Sequence, residues 1–302
     1  MMDIKTVGFI GIGNMGRPMA ANLVKGGYQV VAYDADATRA AQFAKDAGAK
    51  AAATLAELGK SVDAIVTMLP TGHEVRACLL EAEGGALAAN LPKGALVIDM
   101  SSADPVGTRA THADLAKRGL AFVDAPVSGG VPRATDGSLA IMIGGDAAAV
   151  AAAKPVLAKM GTRLFDVGGP GNGHAMKALN NFVAGTGFIA VSEAVLVGKR
   201  FGLDPNVMID VMNVSTGKNF NTENVAKQHV ISGAFASGFA LGLLAKDVKI
   251  AADLASAIDV DSPLTRLSSA LLDEARDKVG GEKDHTLAYT YWEKRDKKAA
   301  AE

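Results

Sequence analysis

The sequence predicts an α/β fold: an amino-terminal doubly wound parallel sheet, then an all-helical carboxyl-terminal domain, the two joined by one long interdomain helix. Three observations predict it. Short apolar runs alternate with helical patterns from Thr6 to about Asp166, a glycine-rich turn follows the first run, and no proline interrupts the chain between Gly171 and Gly202. Gly168-Gly169-Pro170 marks the break, giving domains at residues 1–167 and 168–302.

The first run, Thr6-Val7-Gly8-Phe9-Ile10, reads as a buried parallel strand. It enters Gly11-Ile12-Gly13-Asn14-Met15-Gly16. A helix then runs through Met19, Ala20, Leu23 and Val24 to a stop at Gly26-Gly27, and Tyr28 to Asp34 makes the second strand. This is G-x-G-x-x-G in the strand–turn–helix setting that gives it meaning. Gly11 permits the tight turn, Gly13 lets backbone approach a pyrophosphate, and Gly16 lets the helix pack on the strand. The domain implied is a Rossmann fold, with Gly11, Ile12, Gly13, Asn14, Met15 and Gly16 binding a dinucleotide. Asp34 follows at the end of the second strand, where a carboxylate accepts hydrogen bonds from the adenosine ribose and repels a 2′-phosphate. The nearest arginine, Arg39, reads as part of the turn into the next helix, so NAD is expected in preference to NADP. The plainer alternative for Asp34 is a loop or cap residue before the helix near Ala37.

Further strands are expected at 64–70, 95–100, 121–124, 137–145 and 162–166, with helices at 38–47, 72–89 and 147–159. In a doubly wound sheet the ligand is met by loops at the carboxyl ends of strands, which puts Leu69, Pro70 and Ser101-Ser102 beside the cofactor. Either is also an ordinary strand–loop junction. After Asp124, the backbone N–H groups of Ser128-Gly129-Gly130 and the Ser128 hydroxyl could cradle a carboxylate, or form only a Ser-Gly-Gly turn.

The long helix opens with Gly171-Asn172-Gly173-His174-Ala175-Met176-Lys177-Ala178-Leu179-Asn180-Asn181. Gly173, Lys177 and Asn181 recur at one-turn spacing and share a face. A lysine near a helix start feels the positive end of the macrodipole, which eases loss of its proton. Such a lysine can exchange a proton with a substrate hydroxyl, although a solvated helix lysine would look the same. Beyond it, Asp204-Pro205 starts a helix, 215–222 reads as a polar loop carrying Lys218 and Asn219, helices follow at 239–258 and from Pro263 to about Ala275, and the tail from Lys294 to Glu302 is expected to fray. The apolar face of 182–197 (Phe182, Val183, Phe188, Ile189, Val191, Val195, Leu196) exceeds what one small helical domain needs, and predicts a homo-oligomer.

Charge is balanced, 31 Lys+Arg against 32 Asp+Glu, so there is no electrostatic footprint for nucleic acid or an anionic membrane. The single cysteine, Cys78, cannot form an internal disulfide, which suits a reducing compartment. No signal-like segment precedes the first strand, and the apolar run from Ala234 to Ala245 is too short to span a bilayer. A soluble cytoplasmic protein is expected. His73, His112, His174, His229 and His285 show no metal-binding spacing, so no metal is expected, and no G-x-S-x-G elbow is present.

Taken in order, Gly8 to Gly16, Asp124-Ala125-Pro126-Val127-Ser128-Gly129-Gly130, the opening of the long helix and Lys246-Asp247 resemble the β-hydroxyacid dehydrogenase family, whose members include 3-hydroxyisobutyrate dehydrogenase and tartronate semialdehyde reductase. The matches run from residue 6 to about 290. The resemblance implies NAD(P)-dependent chemistry at the CH–OH group of a small carboxylate held between the two domains. It implies Lys177 as the catalytic lysine, Asn181 as its substrate-binding partner, Ser128, Gly129 and Gly130 around the substrate carboxylate, Lys246 at the cofactor and Asp247 at the substrate. Without it, Lys246-Asp247 would read as a charged pair on a helix surface. Two alternatives stand beside it: an NADPH-dependent reductase of tartronate or succinate semialdehyde, and a non-catalytic dinucleotide-binding scaffold. Asp34 argues against the first and Lys177 against the second.

Overall fold

A computed structural model describes the backbone of residues 4–82 and 87–299, and the side chains of these as far as Arg295. The chain forms two compact units, residues 1–177 and 178–302. The first contains β1 (Thr6–Ile10), α1 (Gly16–Lys25), β2 (Gln29–Tyr33), α2 (Ala37–Ala47), β3 (Lys50–Ala51), α3 (Leu55–Lys60), β4 (Ala64–Thr67), α4 (Gly72–Arg76), α5 (Leu87–Asn90), β5 (Leu96–Asp99), α6 (Pro105–Ala116), β6 (Ala121–Asp124), β7 (Val127–Ser128), α7 (Gly130–Asp136), β8 (Leu139–Gly145), α8 (Ala147–Leu157) and β9 (Gly161–Gly168). The strands form one sheet in the order β3-β2-β1-β4-β5-β6-β8-β7, with β9 also paired to β8. β3 to β6 pair in parallel across this order, while β8 runs antiparallel to β6 and β7.

Alternate residues of the central strands feed two apolar cores. Val7, Phe9, Val66, Ile98 and Val123 enter one cluster, and Ile10, Ile65, Val97 and Phe122 the other. That is why these strands are apolar throughout: helices cover both faces of the sheet, as parallel sheets require. The register also sets Tyr33, Ile10, Thr67, Asp99 and Asp124 in one row across β2, β1, β4, β5 and β6. Each is the last residue of its strand, so the loops that follow leave the same edge of the sheet. Strand order reverses at β1, which is where such folds bind ligands.

α9 (Asn172–Phe201) opens in the first unit and continues into the second. The second unit adds α10 (Pro205–Asn213), α11 (Phe220–Asn224), α12 (Leu241–Ala257), α13 (Pro263–Val279) and α14 (Ala288–Ala299), with a π turn at Ala226–Ile231 and a 3-10 turn at His285–Leu287. Its core joins Phe188, Val191 and Val195 of α9 to Ile209, Leu244, Val248, Leu272 and Trp292.

Several expectations change. The helix expected over 72–89 is α4, a π turn at Ala77–Glu81 and the short α5; residues 83–86 lie outside the described part. α3, α6, α7 and α14 were not anticipated, although Asp104 caps α6 through Gly107 N–H at 2.8 Å with Pro105 at its first position. Asn219 is a helix cap: its side chain accepts from Asn221 N–H at 2.9 Å and starts α11 inside the segment read as a loop. The tail from Lys294 continues α14 to Ala299, and residues 300–302 lie outside the described part.

The apolar residues offered as an oligomer face are mostly interior. Phe188, Ile189, Val191 and Val195 are buried in the core of their own unit and Phe182 and Leu196 pack against it, leaving Val183 exposed. Among the described residues α9, rather than Ala234 to Ala245, is the helix long and apolar enough to cross a bilayer by length and composition, with a mean hydropathy of 1.5 and 44% of that window buried, as in the core helix of a folded domain.

Candidate active site

The nucleotide turn fits its ligand. Gly11 adopts φ +96°, and a side chain there would collide with the Met68 carbonyl. A side chain at Gly16 would strike the Gly11 carbonyl, so only glycine lets α1 sit this close to the turn. Around Gly13 there is open space, the room a pyrophosphate needs to reach the backbone. No side chain caps the start of α1 and its first turn holds no acidic residue, so no negative charge there opposes an anion; Arg17 N–H is already spent on the Gly13 carbonyl at 3.0 Å and Pro18 has none. Asn14 is exposed and Met15 half-buried at the same turn, while Ile12 is buried.

Asp34 sits beside this turn. Its Oδ2 accepts Ile12 N–H at 2.7 Å and its Oδ1 accepts Asp36 N–H at 2.9 Å. Each oxygen keeps a lone pair for a ribose hydroxyl. The cap of α2 is Asp36, which accepts Thr38 N–H at 3.0 Å, so Asp34 is spared that task. Arg39 pairs with Asp36 at 3.4 Å.

Contacts then link the strand ends. Leu69, half-buried with Pro70 exposed after it, donates its N–H to Ser101 Oγ at 2.9 Å. Ser101 N–H in turn donates to Asp99 Oδ1 at 3.0 Å, which also receives the Thr67 hydroxyl at 2.9 Å. The Ser101 carbonyl faces His174 Nε2 at 3.1 Å, and because a carbonyl only accepts, Nε2 carries a proton. His174 Nδ1 lies 2.8 Å from the Thr108 hydroxyl of α6. Ser102 is half-buried next in line. The loops after β4 and β5 are thereby tied to the first turn of α9, three residues before Lys177.

The same turn is held from β6. Asp124 is fully buried; its Oδ1 accepts Gly171 N–H at 2.8 Å and its Oδ2 accepts His174 N–H at 2.9 Å. Burial pushes its carboxyl above the ordinary range, opposed by His174 and by those backbone N–H groups. Gly173 packs so closely that a side chain would meet the carbonyls of Asp124 and Met142 at 2.6 Å each. Lys177 is half-buried one turn further. Ser128 ends β7 half-buried, and Gly129 and Gly130 take φ +135° and +64°, turning the chain into α7. Asp124, His174, Asp99 and Thr108 were not singled out from the sequence. A carboxylate closing a strand, as at Asp34, was the available signal for Asp124.

In the second unit Asn181 and Asp247 are both buried, and Asn181 Nδ2 donates to Asp247 Oδ2 at 2.6 Å. Asn180 Nδ2 donates to Asn181 Oδ1 at 3.0 Å. Lys246 Nζ stands 3.3 Å from Asp247 Oδ1. The burial of Asp247 sets this pair apart from charges on a helix surface. Among the described residues no group of three or more His, Cys, Asp or Glu side chains is arranged to hold a metal.

Sheet order, glycine turn and acidic strand end together define a nicotinamide-dinucleotide-binding α/β enzyme. Comparison with known proteins narrows this. Residues 6–169 match a family model described as the NAD binding domain of 6-phosphogluconate dehydrogenase, and residues 171–292 one described as the NAD-binding domain of NADP-dependent 3-hydroxyisobutyrate dehydrogenase. The chain is 35% identical over 288 residues to 2-(hydroxymethyl)glutarate dehydrogenase of Eubacterium barkeri, covering 95% of this chain and 94% of that one. It is 37% identical over 272 residues to the mitochondrial 3-hydroxyisobutyrate dehydrogenase of Bos taurus, covering 87% and 79%. A solved structure of Mycobacterium tuberculosis 3-hydroxyisobutyrate dehydrogenase with L-serine is similar with a TM-score of 0.88 at 31% identity, covering 97% of this chain and 99% of that one. The chain belongs to the β-hydroxyacid dehydrogenase family, and it is an NAD(P)-dependent dehydrogenase.

Proposed function

We propose that the protein oxidises small β-hydroxyacids with NAD, using Lys177 as general acid and base. The observation that carries this reading is the anchoring of the first turn of α9 to the strand ends through Asp124 and His174, which fixes the backbone leading to Lys177. The names of the relatives support the substrate class. 2-(Hydroxymethyl)glutarate, 3-hydroxyisobutyrate and L-serine share a carboxylate with a hydroxyl on the β-carbon and differ in the α-substituent.

Gly11 to Gly16, Asp34, Leu69, Pro70, Ser102 and Lys246 are assigned to the cofactor, which when bound supplies the hydride acceptor. Ser128 and the N–H groups of Gly129 and Gly130 are assigned to the substrate carboxylate. Lys177 takes the hydroxyl proton as the carbonyl forms and returns it in the reverse direction, its charge stabilising the developing alkoxide. Asn181 orients the hydroxyl, and Asp247 serves the substrate through Asn181, whose amide it holds.

The test is a panel with NAD and NADP in turn: 3-hydroxyisobutyrate, L-serine, 2-(hydroxymethyl)glutarate and D-glycerate for oxidation, tartronate and succinate semialdehydes for reduction. Turnover of one or more hydroxyacids with NAD is expected. Turnover of the semialdehydes alone, and with NADPH, would replace this reading by the reductase alternative, which draws on the NADP in the second family description. No turnover of any compound rejects both.

We also propose a cytoplasmic homo-oligomer. Phe201, Val214 and Phe220 of the second unit are 85%, 87% and 65% exposed, an apolar surface suited to a second copy of the chain. A solution mass near that of one chain, 30.8 kDa, sinks this part.

A further inference from the structure

We infer that Asp124 is the positioning residue for Lys177, acting with His174 as a clamp on the first turn of α9. The inference rests on the assignment of Lys177 as general acid and base.

Three features carry it. The Asp124 carboxylate is fully buried and spends one oxygen on Gly171 N–H and the other on His174 N–H, at 2.8 and 2.9 Å. These N–H groups belong to the start of α9, which would otherwise leave them without partners. Gly144 of β8 packs against the carboxylate: a side chain there would stand 2.8 and 2.9 Å from its two oxygens. Gly173, between the two donors, fits only because it lacks a side chain. The clamp is thus closed by β6 on one side, β8 beneath and the helix above.

His174 supplies the second jaw. Its backbone is held by Asp124, while its ring reaches Thr108 of α6 and the Ser101 carbonyl after β5. One residue therefore ties the helix carrying Lys177 to the loop carrying Ser102. Arg109 of α6 adds a third tie, donating to the Pro170 carbonyl at 3.0 Å and to Asn172 Oδ1 at 3.2 Å. From His174 to Lys177 the chain is continuous helix, so a shift in the first turn passes directly to the lysine. Asp124 acts through the helix start, and so sets where the lysine stands.

Asp124→Asn keeps the shape but turns one acceptor into a donor facing an N–H. Hydrogen exchange should show faster exchange of the Gly171 and His174 amides in the variant. With 3-hydroxyisobutyrate and L-serine, kcat should fall about 100-fold, with KM for the hydroxyacid and Kd for NAD within about threefold. The isotope effect from deuterium on the oxidised carbon should rise as the chemical step becomes limiting. Asp124→Ala, which removes both acceptors, should lose more. A purely structural role predicts a lower melting temperature with kcat of the folded fraction unchanged, and that result overturns the inference. So does unchanged amide exchange at 171 and 174, whatever the substrate. Lys177→Ala run alongside separates the two claims. If it is inactive while Asp124→Asn matches wild type, the clamp fails alone; if it is active, the lysine assignment fails. Should Asp124→Asn not fold, Thr108→Val releases the His174 ring instead, with a fall in kcat of about tenfold at constant NAD affinity expected. Wild-type kcat there counts against the clamp.

Discussion

His174 donates its backbone N–H to Asp124 across 2.9 Å, joining the first turn of the long helix to the end of β6. Between them Gly173 lies within 2.6 Å of two carbonyl oxygens, measured from where a Cβ would stand. Gly173→Ala should therefore lower stability by about 1–3 kcal/mol, the usual cost of overpacking. It should also depress kcat by shifting α9 away from β6. Urea unfolding and steady-state kinetics check both; wild-type values for both contradict the packing described.

Asp34 is the proposed partner of the adenosine ribose. Replacement by Ser removes the acceptors of Ile12 and Asp36 N–H and the partner proposed for the ribose. NAD affinity should fall about 10- to 100-fold, since hydrogen bonds to a charged group contribute about 1.5–3 kcal/mol. NADP affinity should fall less, because repulsion of the 2′-phosphate is relieved. Calorimetric titration with both nucleotides measures the ratio, and an unchanged ratio refutes the ribose assignment.

Acid should weaken the second unit through His285. Burial pushes this imidazole below its ordinary 6.5, aided by His229 and opposed by Asp284 and the Phe239 carbonyl. Below pH 6.5 the unfolded chain takes up a proton that the folded ring resists. The stability conferred by the neutral ring is thus complete above pH 6.5 and is lost as pH falls from there toward the folded value. The slope is at most about 1.4 kcal/mol per pH unit. Melting temperatures from pH 8 to about pH 5 should decline less in His285→Gln than in wild type. Parallel curves would show that His285 does not contribute.

The fold was largely legible because its signals are local. Apolar runs of strand length, glycines at fixed offsets and the proline-free stretch after Gly171 each report on nearby residues, and β1, α1, β2, α9 and α10 follow from them. What escaped was set by distant partners. Asp124 looks like any strand-end carboxylate until β8 and α9 close over it, and nothing local to His174 marks a ring that meets the Thr108 hydroxyl, the Ser101 carbonyl and, at 3.7 Å, the Asp99 carboxylate. The apolar run of α9 was legible as apolar but not as interior, since the same pattern serves a core and an interface. Asn219 was read as loop because a cap and a loop use the same residue types.

If Lys177 moves the hydroxyl proton, Lys177→Ala removes the group that receives it. With NAD and 3-hydroxyisobutyrate or L-serine, kcat should fall about 10²- to 10⁴-fold with Kd for NAD unchanged. Added methylamine should restore part of the rate by supplying the missing amine. A variant that retains wild-type kcat rules Lys177 out as the group that takes the proton.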